Sequence, residues 1–149
     1  YAEVRLLKAE MAFRGWSVPG DAKTHYEAGV KAAMQMLSQL YTNAAAISDA
    51  EVATYLAAKP YDAARGWEMI SEQYWAATLL NEYESFNNWR RTGYPTLTPV
   101  NYDGNVTGGT IPRRLIYPVS EQATNGDNYG AAVARQGADN FTTRIWWDK

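Results

Sequence analysis

Cysteine is absent from this 149-residue chain. Its absence excludes disulfides, thiol catalysis and cysteine-type zinc sites, but it does not fix the compartment. Histidine occurs once, as His25. A Ser-His-Asp triad or a histidine-rich metal site would depend on this residue, which has no second histidine one helical turn away. We therefore expect His25 to lie on a helix surface, and we predict no metal and no cofactor.

The sequence also lacks long apolar runs and a strong excess of charge. It has no stretch of about 18 apolar residues, so it encodes no membrane-spanning helix. A net charge of −2 and an isoelectric point near 5.4 give no basic surface for nucleic acid. No signal peptide is recognisable, and Tyr1 already lies in a helical pattern. We expect a fragment of a longer protein, so the missing targeting signal says nothing about location.

Tryptophan and tyrosine are abundant in this sequence, whereas phenylalanine is scarce. Six Trp and eleven Tyr stand against three Phe. Aromatic rings with a polar tip suit partly wet surfaces and packing against sugars or partner proteins. The alternative is that these rings fill wide gaps between helices, because Trp and Tyr also dominate buried core area.

Apolar periodicity predicts an antiparallel helical hairpin at the start of the chain. The first helix covers 1–14 and stops at Gly15; the second covers about 22–41 and is capped by Asp21. The large–small pattern of the pair resembles one tetratricopeptide-type unit. The residues expected to face inward are Tyr1, Val4, Leu7 and Met11, then Tyr26, Val30, Ala33, Leu37 and Tyr41.

Two further helices are predicted between residues 49 and 91. Ser48 and Glu51 form a capping-box pattern, which begins a short helix over about 49–58. The longest helix is predicted over about 63–91, where two apolar stripes indicate packing on two sides. Gly93 is its natural C-terminal stop.

A long irregular crossover occupies residues 92–119, which contain four prolines and four glycines. Loops of this length are uncommon in compact domains and are usually functional or held down. Asp103-Gly104 gives a weak hairpin signal. A last helix is predicted over about 128–136, and we expect the Trp146-Trp147 pair to dock back on the helices.

An Arg-Arg pair stands near each end of the crossover. Arg90 and Arg91 precede it, whereas Arg113 and Arg114 lie close to its end, and an X-Pro step accompanies each pair. Guanidinium groups make fixed, planar contacts with carboxylates or helix-end carbonyls. We predict that the four arginines form a structural clamp. The alternative is a binding site for an anion or carboxylate.

The sequence contains six segments that form a joint pattern. They are Tyr1–Glu10, Trp89–Pro95, Ile111–Pro118, Glu121, Asn125-x-x-Asn128-Tyr129 and Arg144–Lys149. In this combination and order they resemble the C-terminal part of SusD/RagB-type proteins. The resemblance covers nearly the whole chain, and the combination is specific although any single segment would be weak.

The resemblance implies a mostly α fold of tetratricopeptide-like helix hairpins, with the irregular crossover before the last helix. It implies a non-enzymatic, lipid-anchored protein exposed at the outer membrane of Bacteroidetes. The implied function is capture of glycan or peptide nutrient for delivery to a SusC-type TonB-dependent transporter. The resemblance also implies that the family's N-terminal portion, with its lipidated cysteine, lies outside these 149 residues. We therefore expect 1–149 to form a single C-terminal segment of a SusD-like domain.

In this family the ligand contacts lie largely in variable loops and not in the shared motifs. The resemblance therefore assigns no ligand-binding role to the four arginines. Among loop residues of this chain we predict ligand contacts at Trp16, Tyr102, Asp103 and Asn105. Aromatic faces would stack on sugar rings, while Asn, Asp or Arg would hydrogen-bond to hydroxyls in a mostly preformed concavity. The alternative for each is ordinary packing or solvent exposure.

Two other functions stay open. The first is a helical-repeat protein–protein interaction module with no nutrient ligand. The second is a hydrolase that uses Glu68 and Glu72, which lie one helical turn apart. Glycosidase carboxylates usually flank a cleft from separate elements, so the sequence favours a solvated face and predicts no catalytic residue.

Overall fold

The computed structural model describes residues 1–148, and within that range it is helical with no β-strand. The predicted mostly α fold with helix hairpins is confirmed. The chain divides into two compact units, Tyr1–Trp89 and Arg90–Lys149. The helices are α1 (Ala2–Phe13), α2 (Ala22–Leu40), α3 (Asp49–Ala58), α4 (Gly66–Ala77), α5 (Glu82–Thr92), α6 (Val119–Thr124) and α7 (Gly126–Gln136), with a 3₁₀ turn at Ala63–Arg65.

The predicted hairpin of α1 and α2 forms, and α4 packs against both helices to complete the core of the first unit. The largest fully buried apolar side chains of this core are Leu6, Tyr26, Val30 and Ile70. The two helices approach closely at Gly29, where an added Cβ would lie 2.7 Å from Leu6 Cγ. Glycine therefore sets the distance between α1 and α2.

The predicted inner faces of these helices are partly wrong. Tyr1, Val4 and Leu7 are exposed, whereas Ala2, Leu6 and Ala9 are buried. The buried stripe alternates small residues with one leucine, which lets α1 lie close to α2.

The C-terminal end of α2 departs from the prediction as well. Leu37 and Tyr41 are exposed, although Tyr26 and Val30 are buried as expected. The physical reason is length, because α2 has 19 residues and α1 only 12. The last turns of α2 therefore extend past their partner.

Local capping chemistry is confirmed at the helix starts. Asp21 Oδ1 accepts a hydrogen bond from the Thr24 amide at 2.7 Å. Ser48 and Glu51 form the complete capping box, since the Glu51 amide donates to Ser48 Oγ and the Ser48 amide donates to Glu51 Oε2. These caps satisfy amides that have no partner inside their helices.

The single long helix predicted over 63–91 is wrong. The Ala63–Arg65 turn leads into α4, and residues 78–81 separate α4 from α5. The second stripe, predicted at Trp75, Leu79, Tyr83, Phe86 and Trp89, is buried only in part. Trp75, Leu79 and Tyr83 are exposed, whereas Trp89 is buried. Apolar spacing continues across the break and does not reveal it.

Side-chain hydroxyls and one left-handed residue produce this break. Thr78 Oγ1 donates to the Tyr74 carbonyl at 2.9 Å, and Ser85 Oγ donates to the Thr78 carbonyl at 3.1 Å. Leu80 has a φ of 72°, and the Ser85 amide then donates to the Asn81 carbonyl as α5 begins. Hydroxyls that bond to main-chain carbonyls compete with helical hydrogen bonds in this way.

The second unit contains the crossover, α6 and α7. α5 ends at Thr92 before Gly93, as predicted, and α7 ends at Gln136 before Gly137. The weak hairpin signal at Asp103-Gly104 is wrong, because this segment forms an isolated turn closed by the Asn105 amide on the Tyr102 carbonyl. The short helix α6 was not predicted, because its six residues are too few for a periodic pattern.

The close approach at Gly29 gives a direct stability test. Gly29→Ala is expected to lower the free energy of unfolding by about 1–3 kcal/mol, because Leu6 or the α1 backbone must move. Gly130→Ala places the same methyl group in α7, where nothing lies within 4 Å. That variant should gain about 1 kcal/mol from helix propensity. Urea denaturation followed by circular dichroism measures both, and equal effects would contradict the packing constraint.

Candidate functional site

The predicted ligand residues fall in both units. Trp16 belongs to the first unit, while Tyr102, Asp103 and Asn105 belong to the crossover of the second. Tyr102 and Asn105 line one cavity together, and Asp103 is not part of its lining. The structure thus brings two of the four residues to a shared concave surface.

This loop cavity has a volume of about 260 Å³. Pro99 and Phe141 contribute apolar surface, and Tyr102, Asn105 and Thr107 contribute polar groups beside it. The Tyr102 side chain is 66% exposed, so its ring is available to a ligand. A mostly apolar concavity with a few polar groups is the usual form of a small-ligand site.

Hydrogen bonds within the crossover hold Asn105 in place. Asn105 Oδ1 accepts hydrogen bonds from the Thr107 amide at 2.9 Å and from Thr107 Oγ1 at 2.7 Å. The Asn105 amide closes the turn on the Tyr102 carbonyl at 3.0 Å. Asn and Asp side chains commonly fold a loop in this manner, and the result is a cavity wall with a defined shape.

Trp16 lies just after α1 and is 58% exposed. The Arg14 guanidinium carbon lies 5.4 Å from the centre of its ring and 4.4 Å from that of Trp67. Phe13 stacks on Trp67 with 6.4 Å between ring centroids. Trp16 is therefore the outer member of an aromatic and cationic patch in the first unit.

The first arginine pair lies at the end of α5. Arg90 Nη1 donates to the Arg113 carbonyl at 2.7 Å, and its guanidinium carbon lies 4.5 Å from the centre of the Trp147 ring. Burial lowers the pKa of the Arg90 guanidinium, and the Asp148 carboxylate opposes this change. Arg91 occupies the last turn of α5 and is half-buried.

The second arginine pair bonds to two aspartates near the chain end. Arg113 Nη1 lies 2.9 Å from Asp148 Oδ1, and Arg114 Nη2 lies 3.1 Å from Asp139 Oδ1. Asp139 also accepts hydrogen bonds from the Tyr117 amide and the Tyr129 hydroxyl. Carboxylates and a main-chain carbonyl thus occupy donors from both arginine pairs.

The Trp146-Trp147 pair behaves differently from the prediction at one position. Trp147 is half-buried and docks against Arg90, as expected for a ring that avoids water. Trp146 remains 91% exposed, which contradicts the predicted docking of the whole pair. The two neighbouring rings point into different surroundings, so only one of them reaches the end of α5.

His25 is buried, so its predicted surface position is wrong. Its Nδ1 lies 3.2 Å from Arg5 Nη1, and its Nε2 lies 2.7 Å from the Pro19 carbonyl. Arginine can only donate, so Nδ1 accepts and Nε2–H donates to Pro19. Within residues 1–148 no cluster of three or more acidic or histidine side chains is arranged to hold a metal.

Sequence reasoning missed several residues of these sites. Phe141 closes the loop cavity from far along the chain, and Asp139 and Asp148 are the partners of the second arginine pair. No local pattern pairs them with the crossover. Asn105 did carry a usable signal, because Asn side chains in loops commonly accept a hydrogen bond from the main chain two residues further on.

A comparison with protein families and solved structures defines the class. Residues 1–118 match the model of the SusD-like family, which is described as starch-binding and associating with the outer membrane. The chain belongs to this SusD-like family. No curated protein matches the sequence. None of the helices in the described part of the chain is long and apolar enough to cross a bilayer.

Solved structures similar to this chain include a chitin-binding protein that is 43% identical, with a TM-score of 0.88. A SusD-like protein of Bacteroidetes is 37% identical, with a TM-score of 0.87. A chitin-binding SusD homologue from Flavobacterium johnsoniae is 30% identical, with a TM-score of 0.79. These matches cover 99%, 100% and 99% of this chain but only 32%, 30% and 36% of the respective relatives. The chain therefore spans about a third of their length.

Proposed function

We propose that this chain takes part in non-catalytic capture of a glycan at the cell surface. The observation that carries the proposal is the loop cavity, in which the exposed Tyr102 ring stands beside a fixed Asn105. Family membership supports the choice of a glycan, because the family is described as starch-binding and two similar structures are chitin-binding proteins.

Capture by this cavity uses two kinds of contact. The Tyr102 ring packs against the apolar face of a sugar, and removing both surfaces from water supplies the main driving force. Polar groups beside the ring, at Asn105 and Thr107, then bond to sugar hydroxyls and orient the ligand. Asn105 is already held by its turn, so little conformational freedom is lost when the ligand binds.

The proposal includes no catalytic step. Glu68, one of the two carboxylates of the hydrolase alternative, accepts two hydrogen bonds from Arg65 at 2.9 and 2.8 Å. These bonds lower the pKa of the Glu68 carboxyl below its ordinary value. A general acid in glycoside hydrolysis needs a raised pKa, so this arrangement favours a surface ion pair.

The larger protein would complete the capture system. We propose that residues 1–149 are the C-terminal segment of a SusD-like domain, because the chain matches only about a third of each similar structure. The complete protein would be lipid-anchored at the outer membrane through an N-terminal segment and would deliver its ligand to a SusC-type TonB-dependent transporter. Trp16 and Asp103 remain predicted ligand contacts outside the loop cavity.

Binding of neutral oligosaccharides tests the loop cavity. Isothermal titration with chitin and starch oligosaccharides should show binding to the protein. Tyr102→Ala should weaken that binding about tenfold or more, because the packing of a sugar on an aromatic ring is expected to contribute roughly 1.5 kcal/mol. Tyr102→Phe keeps the ring and should retain most of the affinity. Tyr83→Ala removes another exposed tyrosine, in the first unit, and serves as the matched control.

Other outcomes would redirect the assignment. Shorter products after incubation with these oligosaccharides, abolished by Glu68→Gln, would support a hydrolase and contradict the proposal. Failure of every glycan to bind, together with a tight protein contact, would favour the protein–protein interaction module. Equal affinity in Tyr102→Ala and the parent protein would remove the loop cavity from the site.

A further inference from the structure

A second cavity of the Arg90–Lys149 unit is lined by arginine and tryptophan side chains. Its volume is about 510 Å³, and Arg114, Arg135 and Arg144 line it together with Trp146 and Trp147. No carboxylate is present among the described residues of its lining. We call it the arginine–tryptophan cavity. It shares no lining residue with the loop cavity.

Positive charge is only partly compensated around this cavity. Arg114 is paired with Asp139. Arg144 Nη1 lies 3.1 Å from Asp148 Oδ1, but the same oxygen also accepts from Arg113. One carboxylate is therefore shared between two guanidinium groups. About half of the Arg144 side chain remains exposed, so donors on it are open to a ligand.

Arg135 supplies a cation without an internal partner. It stands in the last turn of α7, exposed to solvent, and within residues 1–148 its guanidinium group forms no hydrogen bond or ion pair. Guanidinium groups keep their charge at all physiological pH values and present planar pairs of donors. Arg135 thus adds uncompensated positive charge to the lining, and Arg144 adds charge that is only partly compensated.

Trp146 gives the cavity an aromatic face. At 91% exposure its ring is left almost entirely in water, although the neighbouring Trp147 is half-buried. A tryptophan ring presents roughly 150–250 Å² of surface that gains free energy when a ligand covers it. An exposed ring beside guanidinium groups matches a ligand with one apolar face and one anionic group.

We propose that the arginine–tryptophan cavity binds a sugar that carries an anionic group, either a uronate carboxylate or a sulfate ester. The sugar ring packs on Trp146, and Arg135 and Arg144 donate hydrogen bonds to the anion. The choice of a sugar rests on the glycan-binding function proposed above. The prediction that the ligand carries an anionic group rests on the cationic lining alone. This site would let the protein distinguish charged from neutral glycans.

Titration with three oligosaccharides of equal length tests the proposal: a uronate, a sulfated neutral sugar and an unmodified chitin fragment. The two anionic probes should bind more tightly at low salt, and the tighter of them identifies the anion. Arg135→Gln and Trp146→Ala should each weaken that binding about tenfold. The first variant loses one charge-assisted hydrogen bond to the anion, and the second loses the ring that packs on the sugar. Trp146→Phe should restore most of it, and the indole N–H signal of Trp146 should shift on titration.

Matched variants separate this site from general charge effects and from the loop cavity. Lys23→Gln removes one positive charge from α2, and Trp75→Ala removes a partly exposed tryptophan from α4; neither should change binding of the anionic probe. Tyr102→Ala should weaken only the neutral fragment, so failure of one site leaves the other testable. Equal losses in Lys23→Gln and Arg135→Gln would overturn the proposal, as would unchanged affinity in Trp146→Ala.

Discussion

Replacing Leu6 with alanine is expected to lower the free energy of unfolding by about 2–5 kcal/mol. Leu6 has no exposed surface and lies against Gly29, where α1 and α2 approach closely. Truncation removes buried methyl groups and leaves a cavity that two tightly packed helices cannot easily fill. Urea denaturation followed by far-ultraviolet circular dichroism measures the loss.

Leu7→Ala is the matched control for this prediction. The residue type, the helix and the number of atoms removed are the same, but Leu7 is 41% exposed. A partly exposed leucine gives up less transfer free energy and leaves no enclosed cavity, so a much smaller loss is expected. If Leu7→Ala were as harmful as Leu6→Ala, the assigned inner face of α1 would be incorrect.

The same pair of residues shows why helix faces are harder to predict than helix ends. The caps at Asp21 and Ser48 depend on hydrogen bonds with residues three positions away, so one short segment of sequence contains both partners. The buried face of α1 depends on α2, because Gly29 admits Leu6 and draws α1 inward along its small residues. Apolar spacing alone favoured Leu7 and could not include this contact.

The break between α4 and α5 illustrates a second limit. Leu79 and Leu80 extend the apolar pattern of the helix, yet both side chains are exposed at the break. The Ser85 hydroxyl contributes to the break between α4 and α5, because it donates a hydrogen bond to the Thr78 carbonyl seven residues earlier. Such a contact is specific to the folded geometry, so periodicity predicted one helix where the structure has two.

In the candidate sites, too, residues that are close in sequence were predictable, whereas residues brought together by the tertiary structure were not. Tyr102 and Asn105 were predictable because a polar aromatic ring and a turn-forming Asn lie close together in one loop. Phe141 was not, because it reaches the loop cavity only after the chain has passed through α6 and α7. The aspartate partners of Arg113 and Arg114 lie 35 and 25 residues away, so their pairing also depends on tertiary structure.

The second large effect is expected at Asp148, whose side chain has no exposed surface. Asp148→Asn keeps the shape but removes the charge to which Arg113 and Arg144 both bond. Loss of one partner from a buried ion pair costs about 3–5 kcal/mol, because the remaining charge stays desolvated. The effect should be confined to the Arg90–Lys149 unit and should appear as faster hydrogen exchange of the Arg113 amide, which donates to the Phe141 carbonyl at 2.6 Å.

Asp49→Asn is the control for the buried pair. Asp49 forms an ion pair with Lys31 at 2.8 Å, but its side chain is 73% exposed and water already screens the interaction. Its removal should change stability little and should leave the Arg113 amide protected. If Asp148→Asn were equally mild, the second arginine pair would not be holding the crossover to the chain end. The anion-binding alternative for Arg113 and Arg114 would then account better for two adjacent guanidinium groups.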